Sequence, residues 1–450
     1  MRFCAQGVAD YLKEAGLAGQ GLVIGYDNRF ASEEFAAAAA GVVAGNGIKV
    51  FLSPQSTPTP VVSLAVTDRK TAGAIIITAS HNPAKWNGFK LRIADGSSAP
   101  SDVITRVEER VSRAFDGRHV EAVPLEQALE QGLVEYLDLT PAYLERAARF
   151  VDLDEIRRAK LRVVVDPMYG AGAGYLKTLL AGGNIEVTEI NGERNPAFPG
   201  INPEPIAVNL NKLSATVREG GADVGLASDG DADRIGVIDE NGAFLTQLQV
   251  FALLCLYLLE IRGERGPIVK TITATSMVDR LGEIYRVPVF ETSVGFRYVA
   301  PVMVAEDALI GGEESGGYGF RGHIPERDAI PASLYFLDFM VRTGRTPSQL
   351  LQDLFSKVGP HYYHRADIHF PEGDRQRMTH HLHTSLPGEI EGVRVVKTDT
   401  FDGFRFTLED GTWLLVRFSG TEPVLRVYAE SDNLARVERL LEVGKGLAGL

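Results

Sequence analysis

The sequence predicts an α/β protein built of several domains, with a smaller α+β domain at its C-terminal end, and three observations predict it. At 450 residues the chain is too long for one core, so three or four domains of ordinary size are expected. Up to Gly359, apolar β-branched runs alternate with helix-patterned segments. After Gly359 the texture changes: His361–Phe370 and Gly392–Val416 read as strands, and Asn433–Val443 reads as a closing amphipathic helix that Gly444 would end.

Taken in order, the elements begin with a strand over Leu22–Tyr26, a turn over Asp27–Arg29, a helix over Ser32–Ala44 and a strand over Ile48–Leu52. Ser32 is suited to cap that helix, Glu33 and Glu34 favour the positive end of its dipole, and Gly45 and Gly47 would end it. A proline-rich turn follows through Pro60. The next strand, Ala74–Ile77, runs straight into a polar loop at Thr78, and the design recurs at Leu161–Val165 before Asp166, Asp223–Ala227 before Ser228 and Asp307–Ile310 before Gly311. A Gly170–Gly174 turn opens another helix, and a third α/β unit begins near Gly242. Loops at the carboxyl ends of strands are where open α/β sheets bind ligands.

Composition narrows the function. The balance of 46 basic against 59 acidic residues gives a net charge of −13, which argues against nucleic acid or an anionic membrane as partner. An anionic substrate then needs a local basic site. Cys4 and Cys255 are far apart and lack metal-ligand spacing, which fits a reducing cytoplasm. The longest apolar runs, Phe35–Ala44 and Val250–Leu259, read as buried helices and fall short of the roughly 20 residues that span a bilayer. The N-terminal text shows no signal-peptide pattern.

Four loops carry chemistry. Ser228-Asp229-Gly230-Asp231-Ala232-Asp233-Arg234 alternates carboxylates with small residues directly after a buried strand, which suits a hard divalent ion, magnesium or calcium; a solvated acidic turn is the alternative. Thr78-Ala79-Ser80-His81-Asn82-Pro83 puts Ser80 on an exposed loop, where its hydroxyl is a candidate nucleophile or phosphoryl carrier, although the same residues suit an ordinary turn. Lys90 is a candidate proton donor or acceptor if burial lowers its pKa. Gly311-Gly312-Glu313-Glu314-Ser315-Gly316-Gly317 is suited to hydrogen-bonding vicinal sugar hydroxyls. Arg417-Phe418-Ser419-Gly420-Thr421-Glu422-Pro423, with Arg426 beyond it, reads as a phosphate cradle.

In this order the four loops resemble those of the α-D-phosphohexomutase family, which includes phosphoglucomutase, phosphomannomutase and phosphoglucosamine mutase. Tyr26-Asp27-Asn28-Arg29, Thr57-Pro58-Thr59-Pro60, Asp166-Pro167 and Val294-Gly295-Phe296-Arg297 also look like family segments. The resemblance implies three similar α/β domains and a smaller C-terminal domain around a central cleft, here divided as 1–135, 136–241, 242–357 and 358–450. It implies Ser80 as phosphoserine and metal ligand, Asp229, Asp231 and Asp233 as magnesium ligands, and catalytic roles for His81, Lys90 and Arg234. Arg297, Glu313, Ser315, Arg417, Ser419, Gly420, Thr421 and Arg426 would bind substrate, a hexose phosphate, with glucose 1,6-bisphosphate as priming activator. A cytoplasmic monomer or homodimer is expected.

Two departures from the family pattern bear on function. Members open with a strand and a loop of Phe-Gly-Thr-Ser/Asp-Gly-x-Arg-Gly character, whereas Met1-Arg2-Phe3-Cys4 reads as part of the next helix, so the resemblance places a segment of roughly twenty residues ahead of it. Gly317 stands where phosphomannomutase/phosphoglucomutase and phosphoglucosamine mutase carry histidine, which favours glucose as the sugar. The alternatives are phosphomannomutase, phosphoglucosamine mutase, a metal-dependent phosphatase and an inactive hexose-phosphate-binding relative.

Overall fold

The computed structural model describes residues 1–384, 386–420 and 423–450. Its first three sheets share one plan. Leu22–Tyr26 lies between the parallel strands Gly73–Ile77 and Val50–Leu52, Val134–Tyr136 extends the parallel set, and Lys90–Ile93 pairs antiparallel with Gly73–Ile77. In the second sheet Arg162–Asp166 lies between the parallel strands Glu186–Glu189 and Val224–Ser228, and the latter pairs antiparallel with Ile235–Ile238. In the third, Ile268–Thr271 lies between the parallel strands Val289–Thr292 and Ile310–Gly312, and the latter pairs antiparallel with Tyr318–Phe320. Each sheet therefore carries a hairpin whose connection leaves the carboxyl end of a parallel strand, and in the second sheet Phe244–Leu245 adds an edge strand beyond it. Those three connections, 78–89, 229–234 and 313–317, hold the loops singled out in the sequence.

Burial explains the strand choice. Leu22–Tyr26 and Gly73–Ile77 are buried at every position, as parallel strands covered by helices on both faces must be, so their text is continuously apolar rather than alternating. The expected helices over Phe35–Ala44 and Val250–Leu259 lie within Ser32–Gly45 and within Gln247–Leu256 plus its π-helical continuation Tyr257–Ile261. One large core joins strands and helices of the first three units, and a separate core holds the fourth. The fourth sheet is wholly antiparallel, in the order Tyr362–His369, Val424–Ser431, Trp413–Phe418, Phe404–Leu408, Val393–Asp399, Glu389–Ile390. The chain is thus three mixed α/β layers plus a smaller α+β unit.

Several local expectations are corrected. Ser32 does not cap its helix: Ala31 is the N-cap residue, and the Ser32 hydroxyl donates to Asp27 Oδ1 at 3.0 Å. The third functional loop starts later than expected, because the strand is Ile310–Gly312 rather than Asp307–Ile310. Gly311 and Gly312 belong to that strand and allow Met303 and Phe251 to pack directly against its backbone. The last helix does not stop at Gly444 but continues to Leu447, since Gly444 is buried where the helix lies closest to Val427. Among the described residues, no helix is long and apolar enough to cross a membrane.

Candidate active site

Ser80 sits in left-handed backbone (φ +53°) just beyond a buried strand, and it is buried rather than on an exposed loop. The cause is Arg29, fully buried, which donates to the carbonyls of Ser80 and Asn82 at 2.6 Å and of Pro83 and Trp86 at 3.0 Å while pairing with Asp27 at 3.1 Å. One guanidinium thus folds the 80–86 loop around itself. Thr78 Oγ1 accepts from the Ser80 amide at 2.8 Å and donates to Asp27 at 2.6 Å. The sequence pointed to Tyr26-Asp27-Asn28-Arg29 as a segment but gave its arginine no task. Within this frame Ser80 Oγ donates to Asp229 Oδ2 at 2.9 Å.

Asp229, Asp231 and Asp233 are fully buried, and one oxygen from each lies within 4.8 Å of the others. Asp229 Oδ1 accepts from the amides of Asp233 and Arg234 at 2.9 and 3.2 Å. Asp231 Oδ2 accepts from Lys90 Nζ at 2.6 Å and from the Thr59 hydroxyl, and Asp233 Oδ2 accepts from Arg327 at 2.6 Å. The second oxygens, Asp231 Oδ1 and Asp233 Oδ1, are buried without a hydrogen-bond partner among the described residues. An oxygen-only, strongly negative donor set with two unsatisfied oxygens fits a hard divalent cation.

Electrostatics divides the site. Burial, reinforced by Asp233 and Asp231, pushes Asp229 well above the usual carboxylate range. Burial works the same way on Asp231, but Lys90 outweighs it and holds that carboxyl low. For Lys90 itself burial would lower the pKa, as the sequence reading supposed; the charges of Asp231 and Asp233 overcome it, and the net shift is upward. Lys90 is therefore a protonated donor here. His81 is pushed down to about 3 by burial and by the neighbouring Arg234, so its ring is neutral near pH 7, with Nδ1 buried and without a hydrogen-bond partner among the described residues.

Arg327 escaped the sequence reading altogether. It bridges Asp233 (2.6 Å), Glu313 (3.0 Å) and Glu326 (3.4 Å), and so joins the metal-type loop to the third loop. A Cβ on Gly317 would lie 2.1 Å from Arg327 Cδ, so the missing side chain at 317 is the space the arginine occupies. The only sequence signal was a charged Glu326-Arg327-Asp328 triplet just ahead of an apolar helix. Behind it, buried Asp328 accepts from Tyr143 at 2.7 and 2.8 Å, meets His323 Nε2 at 2.8 Å and caps the helix Ala329–Thr343.

Backbone bonds stitch the first three units together around the aspartate loop: Thr59 N–H to Asp231 O (2.9 Å), Ile235 N–H to Gly316 O (2.9 Å) and Ala329 N–H to Ala232 O (3.2 Å). Glu313 is buried and its pKa is raised by that burial, while the Ser315 hydroxyl is buried without a protein partner among the described residues. Arg234 lies beside Asp233 (3.8 Å) and Glu204 (3.7 Å). Arg417 is held by Asp402 at 2.8 Å and lies within the field of Glu314, so the fourth sheet faces the third loop. Ser419 is buried and its carbonyl accepts from Arg375 at 2.7 Å; Gly420 is exposed, and Arg426 lies 4.0 Å from Asp367. Thr421 lies outside the described residues. Arg297 is exposed.

Four family models match the chain in order: phosphoglucomutase/phosphomannomutase domains I (residues 2–117), II (141–242) and III (247–358), and the C-terminal domain (383–443). A phosphoglucomutase/phosphomannomutase of Thermococcus kodakarensis is 32% identical over 96% of this chain and 91% of its own length. A relative from Methanothermobacter thermautotrophicus named "Probable phosphoglucosamine mutase" is 31% identical over 96% of this chain and 90% of its own length. The structure of a phosphoglucomutase/phosphomannomutase family protein from Burkholderia thailandensis, 23% identical, shares the fold with a TM-score of 0.83 over 99% of this chain and 92% of that one. With four domain models matched in sequence order and the acidic triad, serine loop and C-terminal unit in place, the chain belongs to the phosphoglucomutase/phosphomannomutase family of isomerase-type phosphotransferases.

Proposed function

We propose that the protein interconverts hexose 1-phosphate and hexose 6-phosphate, with glucose as its preferred sugar, through a phosphoryl group carried on Ser80 Oγ. The observation that carries this reading is the 2.9 Å contact of a buried, left-handed serine with the first of three buried aspartates. Magnesium would be held by Asp229, Asp231, Asp233 and a phosphate oxygen on Ser80; when bound, it supplies positive charge opposite the transferring phosphoryl group.

The chain's own residues do the rest. Phosphorylated Ser80 gives its phosphoryl to the free hydroxyl of the sugar phosphate, the O–P bond to Ser80 breaking as the bond to the sugar forms and the proton of that hydroxyl ending on Ser80 Oγ. The resulting 1,6-bisphosphate turns end over end, and its other phosphoryl returns to Ser80. Lys90, protonated against Asp231, and Arg234 offset charge on the moving group, while neutral His81 carries no charge into the site. Glu313, Ser315 and Arg297 bind the sugar phosphate, the first two at its hydroxyls, and Arg417, Ser419, Gly420, Thr421 and Arg426 take the phosphate that does not react. The preference for glucose rests on Glu313-Glu314-Ser315-Gly316-Gly317, and the glucosamine reading on the names of relatives. A monomer or homodimer in the cytoplasm fits the two free thiols.

The test is incubation with magnesium and glucose 1,6-bisphosphate, followed by peptide mass spectrometry. Phosphate on Ser80, absent from Ser80→Ala, supports the carrier role, and a panel of hexose 1-phosphates then ranks the sugars. An unmodified Ser80 overturns the proposal, and loss of organic phosphate to water during turnover would make the protein a phosphatase.

A further inference from the structure

Four guanidinium groups, those of Arg146, Arg149, Arg262 and Arg321, line one open cavity of about 310 Å³ that shares no residue with the acidic centre. Phe150 and Tyr335 form its aromatic wall, and Glu264 is the single carboxylate in its lining. The concentration of positive charge is unusual for a chain of net charge −13. Arg146 donates to the carbonyl of Gly322 and has no ion-pair partner among the described residues. Among the described residues Arg149 pairs only with Glu145, one turn away, and both side chains are about 70% exposed (67% and 72%), where such a pair is worth little. Arg262 and Arg321 are compensated and held in place: Arg262 pairs with Glu264 at 2.5 Å, lies 5.2 Å over the Tyr335 ring and donates to Phe150 O at 2.7 Å, and Arg321 pairs with Asp307 at 3.2 Å.

Arg146 carries its charge to the cavity without a counter-ion among the described residues and Arg149 only with a solvent-screened one, and the planar fork of a guanidinium matches phosphate oxygens two at a time. The net charge of −13 repels an extended polyanion such as nucleic acid, but a compact anion can enter a local basin of opposite sign. We propose that this cavity is a second, non-catalytic site for a compact phosphate-bearing metabolite, with Arg146 and Arg149 as its available donors and Arg262 and Arg321 as its fixed wall. The site borders the active centre through one short segment. Arg321 and Gly322 line the cavity, His323 meets Asp328, and Arg327 between them reaches Asp233 and Glu313.

The probe is inorganic pyrophosphate, titrated calorimetrically into the metal-free full chain at low salt. Arg149→Glu, a change at an exposed side chain, and Arg146→Ala/Arg149→Glu are compared with wild type. Phosphorylation of Ser80 by glucose 1,6-bisphosphate serves as the folding control. The expected result is a binding event in wild type that weakens at least tenfold in both variants, while their Ser80 labelling is unchanged. Identical isotherms for wild type and Arg149→Glu, or no binding to wild type beyond an event that both variants retain, would overturn the site.

Discussion

Arg327 and Gly317 occupy one space between them, and that exclusion is testable. A histidine at 317 needs a Cβ where Arg327 Cδ now lies, 2.1 Å away, so Gly317→His expels the guanidinium from Asp233 and Glu313. Losing a charged hydrogen bond costs about 1.5–3 kcal/mol, so kcat/KM is expected to fall roughly ten- to a hundredfold. Arg327→Ala should fall by a similar factor, and the double variant should be no worse than either single one; additive losses would show that the two residues act separately. His81 gives a second prediction. Its folded pKa of about 3 lies below the ordinary 6.5, so between those values the unfolded chain binds the extra proton. Stability should therefore fall on acidification by about 1.4 kcal/mol per pH unit from this group alone, and the slope should flatten in His81→Asn. Its ring resonances should stay those of a neutral imidazole from pH 8 down to pH 5. At this scale the sequence displayed Ser80 and the three aspartates because they crowd into two short stretches after buried strands. It could not display Arg327 or the work of Arg29, whose partners lie 94 and 51 positions away, nor the sign of the Lys90 shift, which depends on carboxylates from another sheet.

The closing helix shows two element-level effects in opposition. Glycine inside a helix costs about 1 kcal/mol relative to alanine, so propensity alone says that Gly444→Ala stabilises. The structure says otherwise, because a Cβ there would lie 2.4 Å from Val427 Cγ1, on a strand whose side chains fill the core of the fourth unit. Overpacking of this kind costs about 1–3 kcal/mol, so it outweighs propensity. Gly444→Ala is expected to lower the urea midpoint, and Gly444→Ala/Val427→Ala to recover part of the loss; a stabilised single variant would mean that the helix shifts freely. A glycine near the end of a periodic pattern is the ordinary stop signal, and only the neighbouring strand reveals that this one is a contact point. The strand-to-loop junctions were legible for the opposite reason. Parallel strands buried on both faces write continuous apolar text, and the abrupt change to Thr78 or Asp229 marks the sheet edge without any knowledge of neighbours.

The four units meet through polar joints as well as cores. Arg405 on the fourth sheet donates to Ile272 O (3.1 Å) and to Glu291, Glu430 accepts from Ser276 N–H (2.9 Å) and Trp413 Nε1 (3.0 Å), and Asp402 accepts from Val294 N–H (2.7 Å) while holding Arg417. The acidic centre is the other joint, since backbone bonds tie the first three units to one another around it. Of its three buried carboxylates, Asp229 works against folding when no cation is present, its pKa being raised by burial and by Asp233 and Asp231, whereas Lys90 holds Asp231 low. Magnesium that binds only the folded site stabilises by about 2.7 kcal/mol at a hundred times its Kd, so thermal unfolding should shift upward by several degrees. Asp229→Asn separates the charge from the shape. The asparagine Oδ1 can keep the two amide bonds from Asp233 and Arg234, and its NH2 can donate to Ser80 Oγ, but the repulsion is gone. The metal-free variant is therefore expected to melt no lower than metal-free wild type, and magnesium should shift it far less. A variant that melts well below wild type without metal would show that the carboxylate is needed as a structural acceptor. An undiminished magnesium shift would place the ion elsewhere in the molecule.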